Sequence, residues 1–228
     1  MSGFSRQLGG LLDLLLQAQC PLCQRVATAT FCQDCQRQVQ RCQFPSPNWC
    51  QQEQLPIFAW GRYNGALRQT IAAFKYENKP HLARPLAHWL ALAWFSATPT
   101  TSLTVVPIPM HPTKQQQRGF NQADLLAEHF CEQTRLPLQK QGLSRSRETT
   151  AQFQLSAGDR EQNLADAFSL GDAFRKRHPT NSVLLLDDIY TTGATARSAA
   201  QTLRRNGIRV QGLIVLARAE REVRDKEC

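Results

Sequence analysis

The chain has 228 residues, 42% of them hydrophobic, so it can bury one core of ordinary domain size plus a small appendage, which argues against wholesale disorder. A net charge of +9 and a pI near 9.5 point to polyanionic partners: nucleic acid, phosphorylated metabolites or an anionic membrane surface. No apolar run reaches the ~18 residues of a membrane span, so stable membrane insertion is not expected.

In chain order, Leu8, Leu11, Leu12, Leu15 and Leu16 fall at helical spacing and predict an amphipathic helix packed on the protein itself. Asp13 interrupts the apolar run, unlike the core of a secretory signal, so a cytoplasmic protein is expected. Cys20, Cys23, Cys32 and Cys35 form two C-x-x-C steps, "CPLC" and "CQDC". Each step turns two thiolates toward one point, and two steps complete a tetrahedron suited to structural zinc. The competing readings are disulfides, which a cytoplasmic chain disfavours, and a redox pair, which the doubling disfavours. Cys42 and Cys50 are read as non-ligands, although a second metal site or substitution into the first is the alternative. The organisation expected is a zinc unit over 1–55 followed by a larger domain over 56–228.

Phe44 to Pro56 has linker composition. "IFAWGRY" predicts a strand, and Asn64 a cap for the helix "GALRQTIAAFKY". A second helix carries Pro85 near its first turn. "SLTVVPIPM" predicts a buried strand ended by prolines, and "NQADLLAEHFCEQT" a helix with Cys131 as a small buried hydrophobe. "LPLQKQGLSR" is strand-like, and 146–168 is polar and charged. "SVLLLDD" predicts a strand, followed by a helix from Ala194 and the strand "VQGLIVLAR". Strands with apolar cores alternating with helices predict a mostly parallel α/β sheet covered on both faces.

The string "VLLLDDIYTTGAT" sets Asp187 and Asp188 at the carboxyl end of a strand, where open parallel sheets bind ligands. Thr191, Thr192, Gly193, Ala194 and Thr195 then form a turn into a helix, whose N–H groups and hydroxyls suit one phosphate. Carboxylates beside a phosphate cradle point to a sugar phosphate, with the aspartates accepting from ribose hydroxyls. The plain structural alternative is a helix cap beside an acidic turn.

This string resembles the ribose-5-phosphate signature of type I phosphoribosyltransferases. Together with the cysteine pairs, "FKYENK", "VPIPMHPTKQQQRGFNQADLLA" and "SRSRETTAQFQLSAGDREQNLADAF", it resembles the ComF family of competence and DNA-utilisation proteins. The resemblance implies a type I phosphoribosyltransferase-like fold with a small N-terminal zinc-binding unit, and it covers Cys20 to Arg218. It implies that Asp187 and Asp188 hold the ribose hydroxyls at the reacting centre, and that residues 191–195 hold the 5-phosphate. It places a pyrophosphate loop at Pro107–His111, so Ile108 and His111 are candidates there. Arg118, Arg145, Arg147 and Arg160 are candidate phosphate or flap residues, with Lys75 beside them. Surface charge is the competing reading for each cation. "RGFNQ" is read either as a binding element or as a structural corner, with Phe120 in the core and Asn121 capping a helix. Two features depart from relatives: many carry a second, tighter cysteine pair, and purine-salvage enzymes carry a carboxylate where Thr191 stands.

The implied ligand is phosphoribosyl diphosphate with Mg²⁺. The implied role is a competence, DNA-uptake or DNA-utilisation factor that engages single-stranded DNA, a competence helicase or another uptake protein. The alternative is an active phosphoribosyltransferase with a nucleobase-like acceptor, and a sensor of phosphoribosyl diphosphate is a third reading; whether the chain is an enzyme stays open. Among the first 100 residues, Lys and Arg number 9 against 4 Asp and Glu, so the cysteine half is basic. Trp49, Phe58, Trp60 and Tyr63 are candidates for stacking on bases, with core packing as their competing fate.

Overall fold

The computed structural model describes residues 19–46, 49–52, 55–97, 102–145 and 167–219. The leucine-rich N-terminal segment, Arg147 and Arg160 lie outside them. Five strands form the main sheet: β1 (Trp49–Gln52), β2 (Leu55–Arg62), β3 (Leu103–Pro107), β6 (Ser182–Tyr190) and β7 (Val210–Arg218), in the order β1-β2-β7-β6-β3. β2, β7, β6 and β3 are parallel, and β1 is antiparallel to β2. A separate antiparallel pair joins β4 (Leu143–Arg145) to β5 (Phe168–Leu170).

Helix α1 (Gln33–Gln40) belongs to the cysteine unit. α2 (Gly65–Tyr76) and α3 (Ala83–Ala97) connect β2 to β3, with a 3₁₀ turn at Pro80–Leu82. α4 (Pro112–Arg118) and α5 (Gln122–Thr134) follow β3, α6 (Asp172–Lys176) follows β5, and α7 (Ala194–Arg205) joins β6 to β7. None of the described helices is long and apolar enough to cross a membrane.

Alternation along the strands builds two cores. Phe58, Trp60, Val105, Leu184, Leu186, Ile214 and Leu216 face α2, α3 and α5. Ile57, Ala59, Val106, Val183, Leu185, Leu213 and Val215 face α7 and the small sheet. A strand buried on both faces must be apolar at every position, which is why β6 and β7 read as continuous runs. The outer edge of β3 is covered by main chain: Val105 N–H donates to Pro137 O and Gln139 N–H to Val105 O, both at 2.8 Å.

The expectations differ from the structure in several places: α6 (Asp172–Lys176) and β5 (Phe168–Leu170) were not foreseen, and only Leu143–Arg145 of the strand-like "LPLQKQGLSR" is a strand. The stretch expected as linker contains β1, a short edge strand paired through Trp49 and Phe58. The strand expected to stop at Asp188 continues to Tyr190, its last residues pairing with Ala217 and Arg218. α4 was not anticipated, because "PTKQQQR" has no apolar stripe. His111 Nδ1 accepts from Thr113 N–H at its start, and Gly119, at φ 83, ends it in the left-handed region.

Candidate functional site

The four parallel strands end along one rim, and residues from their ends and following loops line a pocket of about 270 Å³. Lys75, Ile108, Arg118, Asn121, Gln122, Arg145, Asp187, Asp188, Thr191 and Thr195 all face it. The same alternation that built the two cores splits the paired aspartates. Asp188 continues the row of Leu184 and Leu186 toward α2, where its Oδ2 lies 2.7 Å from Lys75 Nζ. Asp187 continues the row of Val183 and Leu185, and it feels the positive charge of Arg145 at the end of β4. Adjacent carboxylates thus face opposite ways around one strand.

Electrostatics follow from this geometry. Desolvation first, and the neighbouring Asp188 charge second, push the Asp187 carboxyl up to about 7, against the pull of Lys75 and Arg145. Asp187 keeps some exposure as a residue, and its Oδ1 accepts from Asp188 N–H at 2.8 Å. Burial pulls the Lys75 ammonium down most, but Asp188 and then Asp187 outweigh it and the net shift is upward. Arg145 is held below its ordinary value by burial, opposed by Asp187, and its guanidinium lies over the Phe168 ring at 5.3 Å.

The turn after β6 has one conformational requirement. Gly193 has φ 76, and a Cβ there would sit 2.3 Å from the Tyr190 hydroxyl. Only glycine combines that backbone with so close a ring. The turn starts α7, whose first N–H groups have no acceptor within the helix and point toward the pocket end. Thr192 is exposed, with Oγ1 accepting from Ala194 N–H at 3.4 Å and its carbonyl accepting from Arg197 at 2.9 Å. Thr191 and Thr195 line the pocket, while Thr192, Gly193 and Ala194 shape the turn.

On the opposite wall, Ile108 N–H is already committed to Leu186 O at 2.9 Å, and Pro109 has none. Any backbone donors of the loop at 107–111 therefore come from Met110 and His111, and the His111 ring caps α4 outside the pocket lining. Both halves of the structural reading of "RGFNQ" are present. Phe120 stacks on Phe74 at 5.6 Å, and Asn121 Oδ1 caps α5 while its Nδ2 donates to Ile108 O at 3.2 Å. Arg118 and Gln122 of the same string also reach the pocket, with Arg118 Nη1 donating to Gln122 Oε1 at 2.7 Å. Gln122 carried no sequence signal beyond its neighbours, and Lys75 was visible as a cation but not as the partner of Asp188.

The sulfurs of Cys20, Cys23, Cys32 and Cys35 lie within 4.8 Å of one another, with Cys23 and Cys32 at 3.6 Å. Tetrahedral zinc with Zn–S near 2.3 Å needs sulfurs about 3.8 Å apart, so this donor set fits such an ion. Arg25 Nε, 3.4 Å from Cys23 Sγ, is the main cause that pulls this thiol down to about 6, while burial pushes Cys35 up. Cys42 and Cys50 lie outside the cluster. The Cys42 sulfur faces the carbonyls of Gln38 and Asn64, and the Cys50 sulfur accepts from Arg218 at 3.0 Å. Lys79 Nζ reaches back to Pro21 O at 3.2 Å, so the segment carrying Lys75 at the pocket also touches the first cysteine step.

A mostly parallel sheet with an acidic strand end, a glycine turn into a helix and a four-cysteine unit is the frame for the comparison with known proteins. The chain is 32% identical over 222 residues to "Competence protein F" of Haemophilus influenzae, covering 92% of this chain and 94% of that one. It is 30% identical over 200 residues to "DNA utilization protein YhgH" of Escherichia coli K12, covering 82% and 85%. "Competence protein ComFC" of Bacillus subtilis is 27% identical over 192 residues, covering 82% and 72%. The chain belongs to this family of competence and DNA-utilization proteins. No protein-family model matches it. Similar solved structures include adenine phosphoribosyltransferase from Leishmania donovani, with a TM-score of 0.41 at 12% identity over 78% of this chain and 92% of that one. Adenine phosphoribosyltransferase from Leishmania tarentolae has a TM-score of 0.37 at 14% identity, over 64% and 74%.

Proposed function

We propose that the pocket binds a 5-phosphoribosyl ligand, with phosphoribosyl diphosphate and Mg²⁺ as its full complement, in a protein that handles DNA during uptake or utilisation. One observation carries this reading: Asp187, Asp188, Thr191 and Thr195 line the same pocket as Lys75, Arg118 and Arg145. About 270 Å³ lies near the lower end of ligand pockets, which run to roughly 300–1,000 Å³, and so favours a small ligand. In this reading the turn at 191–195 takes the 5-phosphate and the aspartates accept from the ribose hydroxyls. Arg118, Arg145 and the Met110–His111 amides meet the diphosphate, as would Arg147 and Arg160. Bound Mg²⁺ would supply charge neutralisation for the diphosphate. A carboxyl held near 7 at Asp187 lowers the repulsion that two adjacent charges would present to an entering anion. The cysteine unit, taken as residues 1–55, holds structural zinc beside the ligand-binding domain at 56–228, and the protein works in the cytoplasm. The family names support a role in competence or DNA utilisation; in this reading the partners are single-stranded DNA, a competence helicase or another DNA-uptake protein.

Calorimetric titration of zinc-loaded protein with phosphoribosyl diphosphate and Mg²⁺ tests the pocket. We expect saturable heat that disappears in a folded Thr191→Val, Thr195→Ala double variant. Absence of heat from folded wild-type protein would overturn the reading. The transferase alternative uses the same pocket and would set Asp187, whose carboxyl burial pushes up to about 7, beside the ribose. It predicts pyrophosphate release when the correct acceptor is supplied, lost in Asp187→Asn.

A further inference from the structure

Of the four aromatic residues considered for stacking on bases, three are taken up by core packing. Phe58 and Trp60 are fully buried, Trp49 packs edge-on against Phe58 and Trp94, and Tyr63 lines the pocket half-buried. The described residues instead expose Tyr76, the last residue of α2, at 75%. We propose that Tyr76, with Arg118 against one face, is the platform on which a base of single-stranded DNA stacks at the rim of the pocket. This rests on the DNA-handling half of the proposed function and not on its sugar-phosphate half.

Three observations converge. The Arg118 guanidinium sits 5.1 Å from the centre of the Tyr76 ring, and Gln122 Oε1 fixes it from behind at 2.7 Å. The ring is therefore backed on one side while three-quarters of the residue stays open to water, which leaves a face on which a planar ligand can stack. The charge around it suits a phosphate backbone. Lys114, exposed and one turn before Arg118, shares its face of α4. The other charges close by cancel in pairs, Glu77 with Lys79 at 2.6 Å and Asp188 with Lys75 at 2.7 Å, so Arg118 and Lys114 set the local positive charge. An aromatic face beside two such cations is the chemistry that holds single strands, because every base has a stacking face and only an unpaired strand presents it freely.

The test uses full-length zinc-loaded protein and fluorescence anisotropy at low salt. Two labelled strands of about 15 nucleotides, within one site's span, are compared: oligothymidylate and an abasic strand of equal charge. We expect wild type to prefer oligothymidylate. Tyr76→Ala should lose about 5- to 150-fold on that strand, the range for one stacked base, and nothing on the abasic strand. Its salt dependence should be unchanged, since no phosphate contact is removed. Tyr76→Phe should keep wild-type affinity, and the emission of a Tyr76→Trp variant should be quenched by the thymidylate strand alone. Equal affinities of wild type and Tyr76→Ala for oligothymidylate, an equal loss on both strands, or no binding by wild type would each overturn the proposal. Calorimetry with phosphoribosyl diphosphate separates the two readings. Failure there with stacking intact overturns the pocket assignment alone, and the reverse result overturns the platform alone.

Discussion

At the scale of single residues, the two aspartates of "LLLDDIY" have different lives although they are adjacent. Asp188 is neutralised by Lys75, whereas Asp187 is raised to about 7 by desolvation and by Asp188. Unfolded aspartate ionises near 4, so between about 4 and 7 the folded protein binds more protons than the unfolded chain. Stability contributed by this group is then full below about pH 4 and lost as the pH rises through about 7. Asp187→Asn keeps the shape without the charge. We expect it to melt above wild type by a wider margin near pH 8 than near pH 5, read by thermal unfolding at both values; a margin that does not grow with pH would mean that Asp187 ionises in the folded protein as it does in the unfolded chain. The sequence showed the carboxylates because their spacing after an apolar run is local. It could not show that period-two alternation points one at Lys75 and the other toward Arg145, because those partners are set by which elements flank the strand.

At the scale of elements, what was legible depended on whether a pattern had an apolar period. α2, α3, α5 and α7 announced themselves through their apolar stripes; Asn64 stands at the N-cap of α2 without a side-chain cap bond, whereas Asn121 does cap α5, which begins at Gln122. α4 has no buried residue and exists through its ends, so no periodicity could reveal it. β1 was hidden because "WCQQ" is a short edge strand with mixed polarity. The turn between β6 and α7 was readable for a different reason: glycine there is a steric requirement. Gly193→Ala must place a methyl in the left-handed region and against Tyr190, which costs about 1–3 kcal/mol of strain. A lower melting temperature together with weakened phosphoribosyl diphosphate binding is the expected result. An unchanged protein on both counts would show that the turn relaxes freely.

At the scale of the molecule, the cysteine unit shares a core with the sheet. Phe31 stacks on Trp89 at 5.7 Å, Trp89 on Trp60 at 5.8 Å, and Cys35 and Val39 belong to the same apolar cluster. Stripping the metal should therefore be felt by the tryptophans. We expect strong chelation to red-shift their emission and lower the melting temperature, because a thiolate-held ion supplies folding energy to so small a unit. Metal analysis of the purified protein sets the baseline, and unchanged emission on removal of bound zinc would mean that the aromatic stack stands without it. The paired C-x-x-C spacing revealed the four-cysteine cluster, but not the route by which it touches the rest of the protein, since Phe31 and Trp89 are far apart in sequence.

The covered edge of β3 bears on how many molecules can share a solution. "LTVVP" is uncharged and rich in β-branched residues, so a bare edge there would be a template for another strand. With Val105 bonded on both its N–H and its carbonyl to the chain at 137–139, that template is already engaged. The other edge is a strand of only four residues. The protein is thereby guarded against aggregating through its own sheet, in spite of a core built from some of its stickiest segments.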